Sequence, residues 1–178
     1  MAWPLLVAAA AALLLSGCGG DIKKPQAVVT MEKGGEFRID FFPQDAPKTV
    51  ENFVTLAEKG FYDGLTFHRV VPDFVVQGGD PRGDGDGGPG FTVPCEVSPR
   101  HYRRGTVGMA LSGKDTGGSQ IFIALSPQPH LEGRYTVIGE VVEGMDSLDG
   151  ILEGDSLGSI QVVTGAMDLS HRAASSSR

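Results

Sequence analysis

The stretch Phe67-His68-Arg69-Val70-Val71-Pro72-Asp73-Phe74-Val75-Val76-Gln77-Gly78-Gly79-Asp80 reads as two short strands, over residues 66–69 and 74–77, joined by a turn. Side chains alternate across a strand, which puts Phe67 and Arg69 on one face, with Gln77 close to an aromatic, Phe74. Taken alone, Arg69 is a solvated face residue and Gln77 a polar residue at a strand edge. Downstream, Gly117-Gly118-Ser119-Gln120-Ile121-Phe122-Ile123 supplies a second amide and a second aromatic on alternating positions of another strand, residues 120–124. An arginine and two amides among buried aromatics form a pocket that holds a small apolar group and donates hydrogen bonds beside it.

On either side of these segments the chain is rich in short strands. Phe37, Ile39 and Phe41 alternate with Arg38 and Asp40, the period-two pattern of a half-buried strand. The run 27–31 pairs with it across a turn at Lys33-Gly34-Gly35. Asp45-Ala46-Pro47 offers a capping residue and an early proline, and Val50, Phe53, Val54 and Ala57 then mark one apolar helical face that Gly60 closes. A shorter helix is expected around Met145, Leu148 and Leu152, and further strands over residues 106–110, 135–142 and 159–163. Many short strands separated by turn signals point to a mainly β domain, a closed or sandwiched antiparallel sheet with helices over its open ends.

The 178 residues suit one domain with a terminal extension on either side. Residues 2–17 are nearly all apolar and uncharged, and run through Leu13-Leu14-Leu15 into Ser16-Gly17-Cys18, the form of a secretory signal and short of the ~20 apolar residues that span a bilayer. Leu15-Ser16-Gly17-Cys18 resembles the lipobox of bacterial lipoproteins, which implies cleavage before Cys18 and lipidation of its thiol. No Lys or Arg precedes the apolar core, a departure from that pattern. The expected organisation is a signal peptide (1–17), a lipidated Cys18 with a tether (18–26), a folded domain (27–165) and a polar tail (166–178). Fully extended, the tether reaches roughly 25–30 Å, which keeps the domain near its membrane in the bacterial cell envelope, on the extracytoplasmic side. Cys95 is then the one remaining thiol, read as a packing residue or a spare thiol.

Several chemistries are excluded. A formal net charge of −7 argues against a nucleic-acid surface, and the basic stretch Arg100-His101-Tyr102-Arg103-Arg104 reads as a solvated loop. The four histidines show no ligand spacing, and no metal is expected. The acidic glycine run from Asp80 to Gly87 fails as an EF-hand, since Arg82 and Val93 stand where acids are required. Those glycines open no helix, so they do not form a dinucleotide or phosphate loop. Ser119 lacks a nucleophile-elbow context.

The segments Phe67–Asp80 and Gly117–Ile123 resemble the signature blocks of cyclophilins. Pro47-Lys48-Thr49-Val50-Glu51-Asn52-Phe53, Gly60-Phe61-Tyr62-Asp63-Gly64 and Gly133-Arg134-Tyr135-Thr136-Val137-Ile138-Gly139 extend the match from about residue 27 to 163. The resemblance implies an eight-stranded antiparallel β-barrel capped by two α-helices, and peptidyl-prolyl cis-trans isomerase activity on proline-containing polypeptides of the envelope or secreted proteins. No cofactor is implied, and a monomer is expected. Arg69 matches the donor to the proline nitrogen. Phe74, Phe122 and Leu131 match the lining of the proline pocket, and Gln77 the amide that contacts substrate and steadies the arginine. Ala110, Leu111, Gln120 and His68 match the rest of the groove, and Tyr135 a position that is often His or Tyr. Val75 stands where many members have Met, Leu111 where Asn is frequent, and His130 where many eukaryotic members use Trp to bind cyclosporin. The alternative is a membrane-tethered chaperone or binding module of the same fold without turnover; the retained set Arg69, Phe74, Gln77 and Phe122 speaks for the enzyme. A structural envelope protein would need none of them.

Overall fold

In the computed structural model, which describes residues 25–163, the glycines at 34 and 35 turn the chain at φ +92° and +94°, a region that side chains disfavour. The turn joins β1 (Gln26–Met31) to β2 (Glu36–Phe41) in the predicted hairpin, with Ala27 opposite Ile39 and Val29 opposite Phe37. Sheet structure begins one residue earlier than expected, because Gln26 pairs with Asp40 and with Val163. The signal segment, Cys18, most of the tether and the tail 166–178 lie outside the described residues.

The remaining strands are β3 (Arg69–Val71), β4 (Val75–Gly78), β5 (Thr106–Met109), β6 (Ile121–Ala124), β7 (Val137–Glu143) and β8 (Leu157–Val163). All pairings are antiparallel, in the spatial order β3-β4-β6-β5-β7-β2-β1-β8. The sheet curls so that segments flanking its two edges meet. Gly64 N–H donates to Leu157 O at 2.8 Å, Leu157 N–H to Leu65 O at 2.8 Å, and Thr66 bridges to Ser156. This seam displaces the strand expected at 66–69. Phe67 N–H donates to Asp155 O and its carbonyl accepts from Gly154 N–H, so Phe67 belongs to the seam and β3 starts only at Arg69. Phe67 points into the main core while Arg69 is exposed; the two do not share a face.

Two apolar clusters follow from the alternation. The inner face of the curl gathers Val29, Phe37, Ile39, Phe41, Val107, Ile123 and Ile138, all at most 2% exposed. Outside it, Val75, Phe122, Ala124, Leu131, Val137 and Tyr102 form a second cluster. Strands β4, β5 and β6 are therefore covered on both faces, which is why Val75-Val76, Thr106-Val107 and Ile121-Phe122-Ile123-Ala124 are unbroken by charge.

Helix α1 (Pro47–Glu58) covers one end of the curl with Val50, Phe53, Leu56 and Ala57, while the expected Val54 is only partly buried. The Phe53 ring sits 5.3 Å from Phe41 and 4.9 Å from Tyr62, burying one of the larger apolar surfaces of the core. Its start is not capped by Asp45, which pairs with Arg100 at 2.6 Å. Glu96, from a distant loop, accepts the N–H of Lys48 at 3.2 Å and of Thr49 at 2.8 Å, and the Thr49 hydroxyl at 2.7 Å. A carboxylate facing free N–H groups at a helix start does the work of a cap and complements the dipole. Glu96→Ala is therefore expected to cost about 1–2 kcal/mol, read as a lower urea midpoint at unchanged slope. At the other end, Gly60 at φ +69° lets its N–H reach Ala57 O and Phe61 N–H reach Leu56 O, the double bond of a glycine-closed helix.

Helix α2 (Met145–Asp149) is shorter than expected: Leu148 is fully buried, but Leu152 lies beyond the helix and is 67% exposed. The other strands fall within one or two residues of expectation, where hydrogen-bonding ends fray.

Candidate active site

Cross-strand register sets Arg69 on β3 opposite Gln77 on β4, Gln77 opposite Phe122 on β6, and Phe122 opposite Gly108 on β5. Because residues in register point to the same face, these side chains form one row on the outer surface of the curl. Gly108 is required in that row: a Cβ there would come within 2.5 Å of both the Phe122 ring and the Tyr102 hydroxyl. The Phe122 ring, 5% exposed, fills the room so left, stacked 5.6 Å from Tyr102 and edge-on to Tyr135 at 5.6 Å.

The row opens onto a cavity of about 110 Å³, lined by Arg69, Phe74, Val75, Gln77, Ala110, Leu111, Phe122, Leu131 and Tyr135. Every one of these belongs to the set expected from sequence. Phe74 is placed by the turn Val71–Phe74, in which Asp73 takes φ +58° and its carbonyl accepts Ser126 Oγ at 2.5 Å and Gln128 Nε2 at 2.9 Å. The Arg69 guanidinium lies 5.3 Å from the centre of the Phe74 ring, a cation held against an aromatic face.

Three expected residues sit elsewhere. Gln120 lines a neighbouring groove of about 610 Å³ and acts on the cavity through Gln77. His130 stacks on Phe74, ring centres 5.6 Å apart, without lining the cavity. His68 lines neither this cavity nor the neighbouring groove: both its ring nitrogens are buried without a hydrogen-bond partner.

A chain of amides orients the arginine. Arg69 Nη1 donates to Gln77 Oε1 at 3.4 Å, Gln77 Nε2 to Gln120 Oε1 at 2.9 Å, and Gln120 Nε2 to the carbonyls of Gly85 at 2.8 Å and Gly87 at 2.9 Å. Each amide has its oxygen toward one partner and its nitrogen toward the next, so the direction of the chain is set by the backbone carbonyls at its end. Those carbonyls are held by Asp80, whose buried carboxylate accepts Arg82 N–H at 2.8 Å and Gly85 N–H at 2.6 Å, with Gly87 N–H a further donor. Burial pushes the Asp80 carboxyl up, but the three backbone donors and His68 outweigh it and hold it below the usual carboxylate range. A Cβ at Gly87 would sit on Asp80 Oδ1. The sequence offered the acid-and-glycine run as its signal; its use as a loop organiser needed the fold. Tyr102, under Phe122, had no local signal, since it lies in a stretch of charge that otherwise pairs outward through Arg100, His101 and Arg104.

Among the described residues no group of three or more His, Cys, Asp or Glu is placed to hold a metal ion. The site is thus a fixed cation and a row of amides along the rim of a small aromatic cavity, on the outside of a curled eight-stranded sheet. That defines a class of protein that binds a compact apolar ring and hydrogen-bonds the chain beside it. The sequence profile of the family described as cyclophilin type peptidyl-prolyl cis-trans isomerase/CLD matches residues 27–165. A peptidyl-prolyl cis-trans isomerase of Synechococcus elongatus is 49% identical over 143 residues, covering 79% of this chain and 98% of the relative. Peptidyl-prolyl cis-trans isomerase B of Bacillus subtilis is 49% identical over 134 residues, 74% of this chain and 94% of the relative. A Cryptosporidium parvum cyclophilin type peptidyl-prolyl cis-trans isomerase superposes with a TM-score of 0.74 at 29% identity, covering 79% of this chain and 98% of that one. The same protein in the presence of the dipeptide Ala-Pro gives a TM-score of 0.68 at 29% identity, covering 80% and 99%. The chain belongs to the cyclophilin-type peptidyl-prolyl cis-trans isomerases.

Proposed function

We propose that the proline ring of an X–Pro segment enters the 110 Å³ cavity between Phe74, Phe122 and Leu131, and that Arg69 donates to the proline nitrogen as the bond twists. Rotation about a peptide bond is opposed by ~18–20 kcal/mol because the C–N bond is partly double. In the twisted state resonance is lost and the nitrogen gains a localised lone pair, so a donor aimed there binds that state better than either planar one. Arginine is permanently charged and needs no proton transfer. Raising turnover from ~0.01 to ~100 per second asks for roughly 5–6 kcal/mol, within reach of a preorganised donor and binding of the flanking chain. The observation that carries this is the amide chain from the Gly85 and Gly87 carbonyls to Arg69, which fixes the donor before substrate arrives. The test is cis-to-trans isomerisation of a short X–Pro peptide by the purified chain; no acceleration by folded protein would leave a proline-binding module instead.

The clients are envelope or secreted proteins in this reading. It is supported by the apolar segment 2–17 running into Ser16-Gly17-Cys18: the chain is cut before Cys18, lipidated there, and holds the domain on the outer side of a bacterial membrane. Two or more acyl chains, at ~0.8 kcal/mol per buried methylene, give a stable anchor. Expression of the full chain in bacteria with labelled fatty acid is expected to mark the wild type and not Cys18→Ser; equal labelling, or none, would remove the anchor from the proposal.

Cyclosporin is expected to inhibit only weakly, at micromolar concentrations or above, because an imidazole at 130 stacked on Phe74 offers less apolar area than an indole. Nanomolar inhibition in the isomerase assay would contradict this.

A further inference from the structure

Beside the proline cavity lies a second groove, of about 510 Å³, and Leu111 and Tyr135 line both. Its floor holds Cys95, whose N–H donates to Asp115 Oδ1 at 2.8 Å and whose sulfur accepts the Asp115 N–H at 3.2 Å. This reciprocal pair ties two loops together and engages one carboxylate oxygen of Asp115. Glu132, the next acid along, is engaged by His101 at 3.1 Å. The charged side chains lining the groove are Lys114 and Arg134, both exposed and without an acidic partner among the described residues. Val97, 48% exposed, gives it an apolar wall. Two unpaired cations facing one groove are conspicuous in a chain of net charge −7.

The geometry points to this groove as a subsite for the substrate chain flanking the proline, selective for an acidic side chain two or three residues from the ring. The inference rests on the cavity being the proline site. A peptide leaving that cavity past the Leu111–Tyr135 ridge travels about 3.3–3.6 Å per extended residue, so its second and third residues run roughly 7–11 Å from the ring, over the groove. There the stem of an Asp or Glu packs on Val97 and its carboxylate meets Lys114 and Arg134. A lysine in the same place meets two like charges. Exposed pairs of this kind each contribute modestly and are screened by salt, so the selectivity is a matter of affinity and on-rate rather than of chemistry. Arg69 is not involved, and kcat is left alone.

The experiment uses the purified full chain and a peptide series Ala-Ala-Ala-Ala-Pro-Ala-Ala-Ala, in which each position two or three residues from the proline is in turn Glu, Gln or Lys. Affinity is read by fluorescence polarisation and KM and kcat by the isomerase assay. Glu is expected to bind about fivefold tighter than Lys on one side of the proline only, at low salt, with less than twofold left at 0.5 M salt. Lys114→Glu combined with Arg134→Glu is expected to reverse the order while leaving kcat on the all-Ala peptide unchanged. Equal affinity for Glu and Lys, a preference on both sides alike, or a preference indifferent to the reversal would overturn the subsite. With normal turnover of the all-Ala peptide, that failure falls on the groove alone. If the all-Ala peptide is neither bound nor turned over, the proline-site reading falls and the subsite with it.

Discussion

Arg69→Ala is expected to lower kcat/KM for an X–Pro peptide by a hundredfold or more, with the urea midpoint almost unmoved. A hundredfold is about 2.7 kcal/mol of transition-state stabilisation, the scale on which single preorganised donors act. The fold has little stake in this side chain: it is exposed, its hydrogen bond to Gln77 is long at 3.4 Å, and its other contact is the face of Phe74. Surface changes of that kind stay within about 0.5 kcal/mol. Arg69→Lys separates charge from shape. Lysine keeps the cation but loses the planar fork that lies over Phe74 while reaching Gln77, so a loss of about tenfold or more is expected even with the charge retained. If Arg69→Ala keeps activity within threefold of wild type, rotation is driven by burial of the ring alone and the donor role is wrong.

Legibility in the sequence followed the range of the interactions. The β1–β2 hairpin, the α1 face and the glycine stop at Gly60 were readable because their determinants lie within a few residues of one another. Nine cavity residues were reached through the family resemblance, and they come together because the register of β3, β4 and β6 aligns Arg69, Gln77 and Phe122. What was misplaced depends on partners far along the chain. Asp45 looked like a cap but pairs with Arg100, leaving the helix start to Glu96, nearly fifty residues away. Phe67 looked like a strand neighbour of Arg69, yet its backbone groups bond to Gly154 and Asp155 across the seam. His68 matches a family position, but it lines neither the proline cavity nor the groove beside Gln120, and both its ring nitrogens are buried without a partner. Leu152 kept the helical period of α2, but Leu152 N–H bonds to the Asp155 carboxylate at 2.6 Å in the turn that follows.

The Asp80 loop is the clearest case of a function hidden in that way, and Asp80→Ala carries the second large effect. Removing the carboxylate leaves the N–H groups of Arg82, Gly85 and Gly87 without their acceptor. Water replaces part of this, since the loop is half exposed, so a cost of about 2 kcal/mol is expected at neutral pH. The larger consequence is for the amide chain: once the Gly85 and Gly87 carbonyls drift, Gln120 and then Gln77 lose their fixed orientation, and Arg69 with them. The isomerase rate is expected to fall about tenfold or more at temperatures where the variant stays folded, with KM little changed. If Asp80 acts through Gln120, the two share one route. Gln120→Ala added to Asp80→Ala then costs much less than the sum of the single effects; full additivity would mean that Asp80 is structural only. Acid gives an independent reading. The folded carboxyl is held below its ordinary value of 3.8, so its contribution to stability is complete above that value and is lost as pH falls through the lowered one. The stability gap between wild type and Asp80→Asn should therefore narrow as pH falls from 7 to well below 3.8, whereas a gap that widened on acidification would reverse the assignment of Asp80 as the charged acceptor of the loop.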